Sequence, residues 1–348
     1  MKPGGRIPSS LRPEIMNKLT GYLFIILLAA CVSKNTETGR YYSSWDEKLD
    51  VKDKVKELDF QEVLISSNSI PYIMGNYLLI VDPQSLSEQI HVFDKNSFKY
   101  LVSFGHRGGG PGEITGIGNL GLDEKRNRIY ISDFGKQKIV YCHMDSVLDD
   151  STYSLKEIVS LEQKQFPSEY VYINDSLCVG RFIFPLNAYD YCPKVARWNM
   201  YTNEYKVMDY EYPGIKHKRM TCGVSAENQL YVECYANYDL LTVGDFEGNL
   251  KCNIHGPLWK KEPSKDIRFY SNAIFRGNQI VTAYSGSDKS EKYPTQFHVF
   301  DVNGNYLKTL EVGYRILRFC YDKDTDRLII CFNDEIQFGY LSLKDLIG

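Results

Sequence analysis

The sequence predicts an all-β protein: a six-bladed β-propeller with four-stranded antiparallel blades, the ring closed by an N-terminal strand. Three observations carry this expectation. The chain holds 27 Tyr and 17 Phe in 348 residues, an aromatic load that favours strands over helices. A short alternating run rich in Tyr, Ile, Leu and Val recurs from positions 77, 128, 176, 229, 278 and 327, a spacing of about 50 residues that marks a repeat architecture. Each run is flanked by polar turns and further short strands, so one repeat carries four strands.

Composition sets the outer bounds. Charged residues make up 24% and apolar residues 43%, with a net charge of −3. That balance belongs to an ordinary globular chain and excludes disordered or collagen-like classes. It also lacks the basic field that nucleic-acid binding uses, so no nucleic-acid partner is expected.

The N-terminus reads as an address. Residues 19–30 form an apolar run, shorter than the ~20 residues of a membrane span but suited to the core of a signal peptide. Met16-Asn17-Lys18 stands before it. Residues 1–15 then read as an overextended start, or as a long n-region carrying Lys2, Arg6 and Arg12. The run ends Leu28-Ala29-Ala30-Cys31, which resembles the bacterial lipobox. The expectation is a signal peptide over 1–30 and lipidation of Cys31, with membrane attachment through the acyl chains. The protein would then reside in the cell envelope with the propeller facing the periplasm. Residues 31–54 are polar without apolar periodicity and read as a flexible tether. The propeller occupies 55–348.

Within each repeat a first strand joins the recurring strand through a polar turn, as at 123–127 and 322–326. Third strands follow at 90–94, 139–142 and 297–301. The Asn303-Gly304 turn then leads to a fourth strand at 306–310, since Asn-Gly accepts the positive φ of a tight hairpin. The last repeat runs out of chain before its fourth strand. Residues 57–65 are spare, and they are predicted to pair with the last blade and close the ring, with a bulge at Gln61–Glu62.

The segment 104–113 supplies Gly105, Gly108, Gly110, Pro111, Gly112 and Glu113. With the repeat spacing it resembles the TolB-like and NHL-like six-bladed propeller lipoproteins of Bacteroidetes over residues 55–345. The resemblance implies fold and envelope location and little about activity. Read alone, the segment lacks the Gly-Lys-Ser/Thr of a phosphate-binding loop and fits a tight crossover between blades.

No catalytic constellation is visible, and no cofactor is expected. Asp322, Asp324 and Asp326 alternate like a calcium loop, but Arg327 and Asn333 stand where Gly and Glu are needed. Eight Cys follow Cys31, of which Cys222 and Cys234 are the pair to test across a hairpin. Binding candidates come from loops. His106, Arg107, Arg219 and Arg315 lie between blades. Asp133, Arg181, Phe184, Tyr191, Tyr235 and Tyr284 lie after second strands. Aromatic and cationic groups together suit a small molecule, a glycan or peptide with an anionic group, or an envelope protein partner. The alternative is a calcium-dependent hydrolase or lyase resembling lactonases, with Glu113, Asn119, Glu169 and Asn272 around a channel metal.

Overall fold

The computed structural model describes residues 39–348 except 151–152, 154, 162–165, 188–189, 216–217 and 292. The expected signal peptide and Cys31 lie outside the described residues.

Six sheets form, each of four consecutive antiparallel strands, and the last borrows its fourth strand from the N-terminus. Blade one spans 70–106, blade two 117–160, blade three 166–207, blade four 220–255, blade five 267–311 and blade six 316–342. The recurring runs are the second strands of the six blades. They are buried almost throughout, as in Leu230–Tyr235 and Arg327–Phe332. A strand covered on both faces reads as continuous apolar sequence. Each of the six interfaces between neighbouring blades holds its own hydrophobic cluster. The core is thus a ring of six seams, and each blade is stable only between its neighbours.

The ring closes as expected, but with a shorter strand. Lys56–Leu58 pairs antiparallel with Phe338–Ser342, placing Leu58 opposite Phe338 and Lys56 opposite Tyr340. The expected bulge at Gln61–Glu62 is instead part of a turn. On either side of it Phe60 and Ile65 are buried in the seam between blades six and one. The Phe60 ring lies 4.3 Å from Phe93 and 5.0 Å from Phe338. These apolar side chains act as a plug, and their alternation mimicked a longer strand.

The tether expectation needs correction over 39–54. Gly39–Tyr41 adds a parallel fifth strand to blade four, beside Leu250–His255. Lys48–Asp50 does the same for blade five, beside Tyr306–Glu311. The segment is a belt across the outer edges of blades four, five and six. It covers two strand edges that would otherwise be open to pairing with other chains. Its apolar anchors Tyr42, Trp45, Leu49 and Val51 are too widely spaced to show a period in the sequence.

Antiparallel alternation sorts the connections into two ends. Hairpins within blades, joining first to second and third to fourth strands, share one end. The opposite end carries the links from second to third strands and those between blades. The hairpin end is stapled all round. Gly75 donates its N–H to Glu124 at 3.5 Å, and Arg126 meets Asp175 at 2.5 Å. Arg197 meets Glu247 at 2.9 Å, and Asn228 donates to the Gly277 carbonyl at 2.7 Å. Arg276 meets Asp326 at 2.7 Å, and Lys95 meets Asp322 at 2.9 Å. The longer loops between blades, such as 107–116 and 256–266, gather at the other end.

Candidate functional site: the central channel

The inner strands are Ile70–Met74, Ile117–Asp123, Phe166–Asn174, Met220–Ser225, Ile267–Arg276 and Ile316–Asp322. They enclose a cavity of about 630 Å³. One residue from each forms a tier around it: Tyr72, Asn119, Glu169, Cys222, Asn272 and Arg318. All six line the cavity; Asn119, Glu169, Asn272 and Arg318 stand at the same strand level, and Tyr72 and Cys222 lie nearer the hairpin end.

The tier is knit unevenly. The Tyr72 hydroxyl donates to Asn119 Oδ1 at 3.2 Å, and Asn119 Nδ2 donates to the Leu120 and Tyr170 carbonyls at 2.8 Å each. Glu169 stands opposite Arg181 of the second strand in blade three, with 3.6 Å between the guanidinium and the carboxylate. Arg181 also donates to Ser168 Oγ at 3.0 Å and to the Met220 carbonyl. Gly180, beside Arg181, allows this pair of strands to close. A Cβ there would lie 2.0 Å from the Glu169 carbonyl oxygen.

Arg318 projects from blade six, diametrically across the ring from blade three. Its Nη1 donates to the Leu317 carbonyl at 2.8 Å. Among the described residues no carboxylate lies within ion-pair distance of it. The charges in the channel wall are thus a compensated pair on one side and a lone guanidinium on the other. Burial pushes the Tyr72 phenol above its ordinary range; the Glu169 charge adds to the rise and Arg318 opposes it. Burial likewise pushes the Cys222 thiol well above its ordinary range, which makes it a poor nucleophile.

The structure does not gather the ten sequence-derived binding residues. Arg181 alone reaches the channel. Asp133 is buried and accepts backbone N–H bonds from Thr115, Gly116, Gly135 and Lys136 at 3.0–3.1 Å, so it staples two loops together. Tyr235 is buried with its hydroxyl 2.5 Å from Glu233, and Tyr284 is buried against His298 with ring centroids 3.9 Å apart. Phe184 packs beside Phe182 and Tyr205. Arg107 donates to the Pro83 and Ser85 carbonyls, holding its own loop. Arg315 binds Asp334 at 3.1 Å, and His106 sits 3.4 Å from Glu88. Arg219 and Tyr191 are exposed on the loop end. Most of these side chains are built into the loops, because a polar group near a buried strand end is first used to satisfy backbone.

Of the four residues in the metal alternative, Asn119, Glu169 and Asn272 do line the channel. Glu113 does not: its carboxylate folds back onto the Gly110 N–H at 2.6 Å. A Cβ on Gly108 would lie 2.1 Å from that carboxylate, so the Gly-rich segment is the tight crossover its composition suggests. With the Asn119 oxygen taken by Tyr72 and Glu169 beside Arg181, the oxygen ligands do not converge on a cation. No group of three His, Cys, Asp or Glu side chains placed to hold a metal ion occurs among the described residues. Asp322, Asp324 and Asp326 are engaged by Lys95 and Arg276. Cys222 and Cys234 cannot pair, because Cys222 lies opposite Glu233 and Cys234 opposite Thr221, on opposite faces of the sheet.

Tyr72 and Arg318 were missed as site residues. The available signal was the repeat itself: aligning the six inner strands puts Arg318 in register with Asn119, Glu169 and Asn272.

Comparison with known proteins agrees with this architecture. The family model DUF5128, described as a 6-bladed beta-propeller, matches residues 60–166, which span the first two blades. No curated protein sequence matches the chain. The β-propeller domain of Myceliophteria thermophila Cps50 (Swd1) aligns with a TM-score of 0.51 and 8% identity, over 82% of this chain and 98% of that one. U3-55K aligns with a TM-score of 0.50 and 13% identity, over 78% and 79%. At these identities the likeness is one of fold. The chain is a six-bladed β-propeller.

Proposed function

We propose that this propeller is a binding protein of the cell envelope, a TolB-like or NHL-like lipoprotein held to a membrane through acylated Cys31. It takes a small molecule, glycan or peptide at its loop end and seats it in the channel. The observation that carries the binding reading is the tier of six side chains, in which the Arg318 guanidinium has no carboxylate partner among the described residues. A cavity of about 630 Å³ with few convergent polar groups has the form of a small-ligand site. Catalysis is disfavoured. Among the described channel residues no nucleophile is paired with a base, and the one thiol in the tier is held protonated by burial. The anchor reading rests on Leu28-Ala29-Ala30-Cys31 after a short apolar run.

Two measurements test the two halves separately. Metabolic labelling with an alkyne palmitate should mark the wild-type protein and leave Cys31→Ala unlabelled; label retained by the alanine variant refutes the anchor. For binding, Asn272→Trp places an indole in the channel. It should abolish the thermal stabilisation produced by any ligand that the wild type binds there. Stabilisation that persists unchanged in this variant places the ligand elsewhere.

A further inference from the structure

We propose that the channel recognises a carboxylate, seated on the guanidinium of Arg318, as the anchoring group of its small ligand. This rests on the channel-binding reading above and names the ligand chemistry.

The argument begins with charge. Arg181 and Glu169 offset one another at blade three, so the three charged side chains in the wall leave one net positive charge, at Arg318. A monoanion neutralises it. A dianionic phosphate would leave excess negative charge in a low-dielectric channel that already holds Glu169. Geometry agrees. Arg318 uses Nη1 to grip the carbonyl of its neighbour Leu317, which fixes the side chain's direction. Its remaining N–H donors can face the cavity, and a planar guanidinium edge matches the two oxygens of a carboxylate.

The flanks add specificity. In the order of the ring, Arg318 stands between Asn272 of blade five and Tyr72 of blade one. Tyr72 is committed to Asn119 and stays neutral, since burial holds its proton. It therefore brings no competing negative charge. Apolar wall residues such as Ile70, Ile274 and Phe319 reduce the local dielectric, which strengthens a charge-assisted hydrogen bond. The volume admits a short peptide or a disaccharide, either of which can carry the carboxylate.

Isothermal titration of the whole propeller tests this with four probes: N-acetyl-trialanine, its C-terminal amide, the monoanionic sugar acid D-galacturonate and inorganic phosphate. At least one carboxylate probe should bind at millimolar concentration, the neutral amide should not, and phosphate should bind more weakly. Whichever carboxylate binds more tightly identifies a peptide or an acidic sugar as the source. Arg318→Gln should weaken that binding by about tenfold or more, and Arg318→Lys should restore part of it. The proposal is overturned if neither carboxylate binds. Equal binding of the amide, stronger binding of phosphate, or unchanged affinity in Arg318→Gln also overturns it. Binding that survives Asn272→Trp refutes the channel reading itself, a distinct failure.

Discussion

Lys95, in a hairpin of blade one, places its Nζ 2.9 Å from Oδ1 of Asp322 at the end of the inner strand of blade six. This ion pair spans the seam where the two ends of the ring meet. Both side chains are almost fully buried. Asp324 lies 2.5 Å from the same ammonium, and Arg327 lies 3.2 Å from Asp322 and donates to the Lys95 carbonyl. The three-residue strand at 56–58 closes the sheet of blade six. The Lys95 network fixes blade six against blade one.

Lys95→Met should therefore loosen the seam. Removing one partner of a buried pair costs about 3–5 kcal/mol, and Arg327, still beside Asp322, should keep the loss near the lower value. Burial opposes ionisation of Asp322, but bonds from Thr325 and Lys95 outweigh it and hold the carboxyl below its ordinary range. A carboxyl so lowered contributes stability above its unfolded pKa of about 4, and that contribution is lost as pH falls through the folded value. Denaturant unfolding should show the Lys95→Met deficit at pH 7 and a narrower gap on acidification.

Asp239 behaves in the opposite sense. It sits in the loop between the second and third strands of blade four, with no exposed surface. Oδ2 accepts the Leu258 N–H at 2.9 Å and the Tyr284 hydroxyl at 3.5 Å, while Oδ1 finds no hydrogen-bond partner among the described residues. Burial pushes its carboxyl up to about 6. The folded state thus holds a proton that the unfolded state has released between pH 4 and 6, so stability falls as pH rises through that window. Asp239→Asn keeps an acceptor for Leu258 and removes the charge. Unfolding measured from pH 4 to 8 should find the variant nearly flat across this range. At pH 7 it should be more stable than wild type by up to about 3 kcal/mol.

The belt across blades four and five depends on Trp45. Its ring packs 4.8 Å from His298 and 4.9 Å from Tyr306, and edge-on to Phe300 at 5.6 Å. Trp45→Ala should cost about 2–3 kcal/mol, less than a fully buried aromatic because the side chain is half-buried. Hydrogen exchange should accelerate at Gly39–Tyr41 and Lys48–Asp50 first, while the inner strands stay protected. Uniform loss of protection would mean that the belt is part of the global folding unit.

Much of this architecture is legible in the sequence because the repeat is written in buried second strands, where both faces demand apolar residues. The six starts and the need for a borrowed closing strand follow from that pattern. The belt is not legible. Its strands are three residues long and exposed on one side, so Tyr42 and Trp45 read as incidental aromatics in polar chain. The channel is half legible. Asn119, Glu169 and Asn272 can be placed on inner strands, but Arg318 hides among apolar neighbours in Ile316–Asp322, and only alignment with the other blades exposes it. Asp133 and Tyr284 look like loop-end recognition groups, yet Asp133 caps backbone and Tyr284 stacks in the seam between blades four and five. Sequence does not reveal which polar groups the backbone will claim.

The claim that the channel is a ligand seat is tested most directly by native mass spectrometry of the propeller purified from its own host's membranes, wild type beside Arg318→Gln. The account predicts an added small-molecule mass on the wild type that is absent from a folded Arg318→Gln variant. An identical mass on both, or a wild-type protein that remains ligand-free when saturating carboxylate probes are added, would contradict it.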